Sequence, residues 1–124
     1  MNDADLAARL DELARLPKGW FDGTLGQAPV QDDLTCFAEG FRKFCSDAVP
    51  TPYLYPTVKG GVQAEWSLGS VEATLELQPR TRNAIWQAVD LTDDKSFERI
   101  LDLSQSDSWN WLTEQLCSES TGEN

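Results

Sequence analysis

The stretch "YLYPTVKGGVQAEWSLGSVEATLEL", residues 53–77, decides the fold. Apolar and polar residues alternate along it with a period of two, and glycines interrupt it at Gly60-Gly61 and at Gly69. That pattern predicts antiparallel strands joined by short turns. A two-residue turn at Gly60-Gly61 sets Tyr55 opposite Trp66 and Thr57 opposite Ala64. A second turn at Leu68-Gly69 sets Trp66 against Val71, Ala64 against Ala73 and Val62 against Leu75. Together with Tyr53 and Leu77 these residues make one dry layer. Pro56 brings no N–H to a ladder, so the first strand belongs at an edge of the sheet.

Reading outward, "NAIWQAVDL" (83–91) continues the alternation as a fourth strand, with Trp86 joining the dry layer between Ala84 and Ala88. "FERILDL" (97–103) is a weaker fifth. Upstream, Leu6, Leu10 and Leu13 form one apolar stripe of a helix from about Asp3 to Leu16, which Pro17 and Gly19 end. Leu34, Phe37, Phe41 and Phe44 line a second helix, with Asp32 or Asp33 as its N-cap and "VPTP" (49–52) as its stop. Downstream, Trp109, Leu112 and Leu116 share a face of a closing helix, and the chain frays from about residue 118. Helices, a meander of four to five strands and a final helix describe an α+β fold with helices packed on one sheet face. A length of 124 residues fits a single domain over 1–124.

On the other sheet face this register places Gln63, Glu65, Glu72, Thr74 and Glu76 among Leu54, Val58, Ile85 and Val89. Glu65 and Glu72 become direct cross-strand neighbours, which like charges disfavour. Three readings are open: a solvated face, a surface for a partner, or a carboxylate pair with catalytic work. The last needs two carboxyls in different environments within a cleft, which an open sheet face does not supply.

Between the first two helices, "LPKGWFDGTLGQAPVQDDL" (16–34) holds a connection from Pro17 to Gln31 that is long for packed helices. Trp20 and Phe21 can plug the space beneath it, leaving a polar tip at Asp22-Gly23; the alternative is that a ring is presented to a partner. Trp111 raises the same choice. It lies roughly 200° around its helix from Trp109, so it packs on the last strand or faces outward.

Charge and composition then exclude whole classes of function. Lys and Arg number 10 against 21 Asp and Glu, a net charge of −11. Such a surface repels phosphate backbones and anionic lipid, and favours a basic partner. There is no histidine, which removes Ser-His-Asp and Cys-His arrangements and any histidine-ligated metal. Cys36, Cys45 and Cys117 are odd in number and lack CxxC spacing, consistent with a reducing cytoplasm. Cys45 falls among the apolar residues of its helix and Cys36 opposite them. No run approaches the length of a membrane span, and the N-terminal segment carries acids where a secretory signal needs bases.

The pairing of "GWFDGTLGQAP" before a helix with "PTVKGGVQAEWS" in the next hairpin resembles a group of small bacterial proteins of uncharacterised function. They carry a Gly-Trp-Asp-Gly-type loop ending in Ala-Pro and a Gly-Gly-Ile/Val-Gln-x-Glu-Trp strand; here Phe21 stands between Trp20 and Asp22. The resemblance covers roughly residues 16–78, implies the same order of elements and brings no activity. The sequence as a whole points to a cytoplasmic, non-enzymatic module, antitoxin- or immunity-like, that binds a protein partner of basic character and needs no cofactor or metal. Trp20, Asp22, Gln63, Glu65, Glu72, Glu76 and Trp111 are its candidate binding residues. The alternatives are a carboxylate-only or cation-assisted enzyme using Asp22, Glu65 and Glu72, and a homodimer formed through the outer sheet face.

Overall fold

The computed structural model describes residues 3–45 and 49–120. Two helices, α1 (Asp3–Ala14) and α2 (Gln31–Phe44), precede five strands: β1 (Tyr53–Pro56), β2 (Val62–Leu68), β3 (Val71–Leu77), β4 (Asn83–Asp90) and β5 (Lys95–Asp102). A third helix, α3 (Ser106–Ser120), closes the chain. The strands form one antiparallel sheet in the order β1-β2-β3-β4-β5. The fold is the expected α+β arrangement, with the Pro56 strand at one edge and the weak fifth strand paired at the other.

The core lies between the helices and one face of the sheet. Leu6, Leu10 and Leu13 of α1, Leu34, Phe37 and Phe41 of α2, and Trp109, Leu112 and Leu116 of α3 are buried against Ala64, Trp66, Leu75 and Trp86. Small residues make room for the large ones: Trp86 packs on Trp66 at a centroid separation of 6.2 Å between Ala84 and Ala88. Two of the buried indoles are hydrogen-bonded, Trp66 Nε1 donating to the Pro50 carbonyl and Trp109 Nε1 to that of Leu103, both at 2.9 Å. Cys45 is part of this core and burial pushes its thiol pKa up.

Register differs from the expected one in both of the first two hairpins. Tyr55 pairs with Gln63, not Trp66, because the first turn spans residues 57–61 instead of two glycines. Thr57 closes that loop: its N–H donates to the Gly61 carbonyl at 3.0 Å and its Oγ1 accepts from the Gly61 N–H at 2.9 Å. An offset of three residues is odd, so β1 turns over. Leu54 enters the core at 2% exposure, while Tyr53 and Tyr55 face outward at 70% and 45%. In the second hairpin the turn is Gly69-Ser70, with Gly69 at φ 65°, the conformation a tight hairpin requires at its first central position. Ala64 therefore meets Leu75 and Trp66 meets Ala73. That offset is even, so the dry layer keeps its membership.

Neither Asp32 nor Asp33 caps α2. Val30 occupies the N-cap without a side-chain bond, and both aspartates lie in the first turn. Asp33 is buried, and its Oδ2 accepts the Arg80 N–H at 2.9 Å, tying the β3–β4 loop to the start of α2. At the far end α3 continues to Ser120, past residue 118 where the sequence predicts fraying to begin; the remainder of that tail lies outside the described residues.

Candidate functional site

The outer face of the sheet is assembled by strand alternation alone. Three cross-strand rows follow from the pairing: Tyr55, Gln63, Glu76, Ile85 and Ile100; then Tyr53, Glu65, Thr74, Gln87 and Glu98; then Ser67, Glu72, Val89 and Ser96. The same alternation adds Asn83 and Asp102 at one end. Every carboxylate of these strands except Asp90 is on this face, and none of their lysines or arginines is: Lys95 and Arg99 alternate to the helix-covered side. Here the acids are Glu65, Glu72, Glu76, Glu98 and Asp102.

Glu65 and Glu72 are not opposite one another, as the expected register had them. Glu65 pairs with Thr74 and Glu72 with Ser67, so Glu65 is diagonal to both Glu72 and Glu76. Diagonal side chains stand about 7–8 Å apart, which weakens their repulsion compared with a direct pair. Two amides settle on the acids: Gln63 Nε2 donates to Glu65 Oε2 and Gln87 Nε2 to Glu98 Oε2, each at 2.7 Å. Between these polar groups Ile100 is 70% exposed, with Val89 and the two tyrosines also open to water. The face thus has acids on β2 and β3, tyrosines on the β1 side, aliphatic Ile85 and Val89 on β4, and Ile100 between Glu98 and Asp102 on β5.

The long loop is anchored by one of its rings, not two. Trp20 is half-buried, its Nε1 donates to the Gln27 carbonyl at 2.8 Å, and Gly26 at φ 101° lies so close that a Cβ there would press on the indole. Phe21 stands against Trp20 edge-on at 5.9 Å but is itself 60% exposed. Asp22 builds the tip: its Oδ1 accepts from the Leu25 N–H at 2.6 Å and from the N–H and hydroxyl of Thr24 at 2.9 and 3.0 Å. These bonds, the Leu25 N–H first, hold the Asp22 carboxyl below its ordinary pKa. The loop is zipped to the β1–β2 turn, where the Gln27 N–H donates to the Val58 carbonyl at 2.8 Å and the Val30 N–H to that of Gly60 at 3.1 Å.

Sequence-predicted residues are therefore brought together only in part. Gln63, Glu65, Glu72 and Glu76 share one face, and Glu65 and Glu72 line a common depression with Tyr53 and Thr74. Asp22 and Trp20 belong to the loop and do not line it. Trp111 points to the helix-covered side, edge-on to Trp86 at 6.0 Å and against Phe97 at 6.1 Å, with the Arg99 guanidinium over its ring at 4.5 Å. It packs on the last strand. Tyr53, Tyr55, Glu98 and Ile100 were missed as members of the outer face; the alternation of Tyr53 and Tyr55 around Leu54 is the sequence signal that would have found the first two. No helix of the described residues is long and apolar enough to cross a membrane, and they hold no group of three or more acids or cysteines placed to share a metal ion. Comparisons with protein-family models, curated proteins and solved structures return no match.

Proposed function

We propose that this chain is a non-enzymatic binding module whose outer sheet face takes a basic protein partner, in the manner of antitoxin or immunity-type proteins of the bacterial cytoplasm. One observation carries the reading: the outer face collects five strand carboxylates and none of the strands' lysines or arginines, interspersed with exposed tyrosine and aliphatic side chains. A carboxylate field steers a cationic partner, and the apolar residues supply the burial that charge alone does not. A homodimer through this face would oppose the same acids with no strand cation to offset them. Nucleic acid is disfavoured for the same reason. Carboxylate catalysis is the weaker reading, since Asp22 is committed to its own turn and does not line the depression with Glu65 and Glu72.

The test is capture from nuclease-treated host lysate by the tagged protein and by its Glu65→Gln/Glu72→Gln/Glu76→Gln variant. A single abundant basic protein retained by the first and lost by the second is the expected result. Recovery of the bait alone from both would count decisively against partner binding.

A further inference from the structure

Acidic and aliphatic outward side chains meet across the β3–β4 pair, Glu72 beside Val89 and Glu76 beside Ile85, and that juxtaposition carries information about the shape of the partner. On β2 and β3 the outward side chains are Gln63, Glu65, Glu72 and Glu76, with serine and threonine between them. On β4 the outward side chains are Asn83, Ile85, Gln87 and Val89, with no acid among them, and on β5 Ile100 stands between Glu98 and Asp102. An acidic strip on β2 and β3 thus runs beside β4, whose outward side chains are uncharged and include the two aliphatic residues Ile85 and Val89, and the boundary between them follows the β3–β4 seam.

Backbone accounting limits what can lie there. β2, β3 and β4 are each paired on both sides, so the face offers no free N–H or C=O groups to a visiting strand. A partner element on this face must satisfy its own backbone, as a helix does. We propose that the occupant is a basic amphipathic helix of the partner protein, laid along the β3–β4 seam, its aliphatic stripe on Ile85 and Val89 and its arginines or lysines over Glu72 and Glu76. This inference rests on the binding reading above and adds the partner's secondary structure, chemistry and orientation.

Dimensions agree. Alternate residues of a strand recur at about 6.8 Å on one face, so Glu72 and Glu76 lie about 13–14 Å apart. A helix brings residues of one stripe round every turn, about 5.4 Å, and positions i and i+7 or i+8, on the same side, are about 10.5–12 Å apart, a difference that flexible side chains span. A strand of seven residues, about 24 Å, is covered by a helix of about 16 residues. Long basic side chains with three or four methylenes reach sideways from such a helix while its leucine-type stripe stays on Ile85 and Val89.

The test is a titration of the isotope-labelled full chain by amide NMR with two synthetic peptides of about 16 residues. One is helical, with leucines at i, i+4, i+7 and i+11 and an arginine directly after each; the other has the same composition in a scrambled, non-amphipathic order. The amphipathic peptide is expected to shift β3 and β4 amides selectively. Its affinity should fall at least fivefold in Glu72→Gln/Glu76→Gln, fall again in Ile85→Thr, and weaken with added salt; the spectra themselves report that the variants remain folded. Equal binding of both peptides to the outer face would overturn the helix while leaving an acidic docking face in place. Failure of both to perturb the face would overturn the helix and the basic-partner reading together.

Discussion

Asp22 shows how much a single exposed carboxylate can organise. Its Oδ1 gathers three donors from Thr24 and Leu25, and the turn so formed displays Phe21 and Leu25 to solvent. The Leu25 and Thr24 N–H groups and the Thr24 hydroxyl favour the ionised form, so the folded-state pKa is lowered. A group of this kind contributes order above the ordinary aspartate pKa and loses that contribution as pH falls through the depressed folded value. The Thr24 and Leu25 amide resonances are therefore expected to titrate together, with a midpoint below that of an unperturbed aspartate. In Asp22→Ala the titration should vanish and hydrogen exchange at Leu25 should quicken, while the global unfolding midpoint holds, because the core is elsewhere. An ordinary aspartate midpoint for both amides would remove Asp22 from this role. Its presence in the loop was visible in the Asp-Gly dipeptide. Which ring it leaves exposed was not, since only the distance from Trp20 to Gln27 and the closeness of Gly26 decide that.

Among the elements, the seam between α2 and α3 is the tightest. Trp109 lies against Phe37 and Phe44, each at 6.0 Å, and its indole is fixed by the Leu103 carbonyl. A Cβ at Gly40 would overlap that ring. Alanine is favoured over glycine within a helix by about 1 kcal/mol, but overpacking against a ring that cannot move costs about 1–3 kcal/mol. Gly40→Ala is therefore expected to lower stability by about 1 kcal/mol in urea unfolding. Placed in a Trp109→Leu background, the same change should be neutral or stabilising, which a double-mutant cycle reads directly. Additive losses in that cycle would place the cost somewhere other than the indole. Periodicity located the helices and the first four strands because each buries one face; β5, where Leu101 alone is buried, gives the weak signal its exposure explains. Register was legible only to the extent that parity protected it. The second hairpin slipped by two residues and kept Trp66, Ala64 and Val62 inside; the first slipped by three and exchanged Leu54 for Tyr53 and Tyr55. Thr57 closing a five-residue loop, and Asp33 holding Arg80 from across the molecule, are tertiary events that no local pattern contains.

At the scale of the molecule the excess of acids remains largely unneutralised. Two ion pairs form among the described residues, Arg9 with Glu12 at 3.6 Å within α1 and Arg15, just past its end, with Asp11 at 2.7 Å. The outer sheet acids share their surface with no strand cation, so the folded state concentrates negative charge that the unfolded chain spreads out. Self-repulsion of this kind opposes compactness and is screened by salt, whose Debye length falls from about 30 Å at 0.01 M to about 10 Å at 0.1 M. The thermal midpoint is accordingly expected to rise with sodium chloride over that range. Glu65→Gln/Glu72→Gln/Glu76→Gln should begin higher at low salt and climb less. Binding of a basic partner must run the other way, weakening as the same field is screened. Opposite slopes for stability and binding, both flattened by the same three substitutions, are what one acidic face produces when it is kept for an interaction at some expense to the free protein. A thermal midpoint indifferent to salt in wild type and variant alike would mean that these carboxylates are too well solvated to oppose folding, and the cost assigned to the face would fall away.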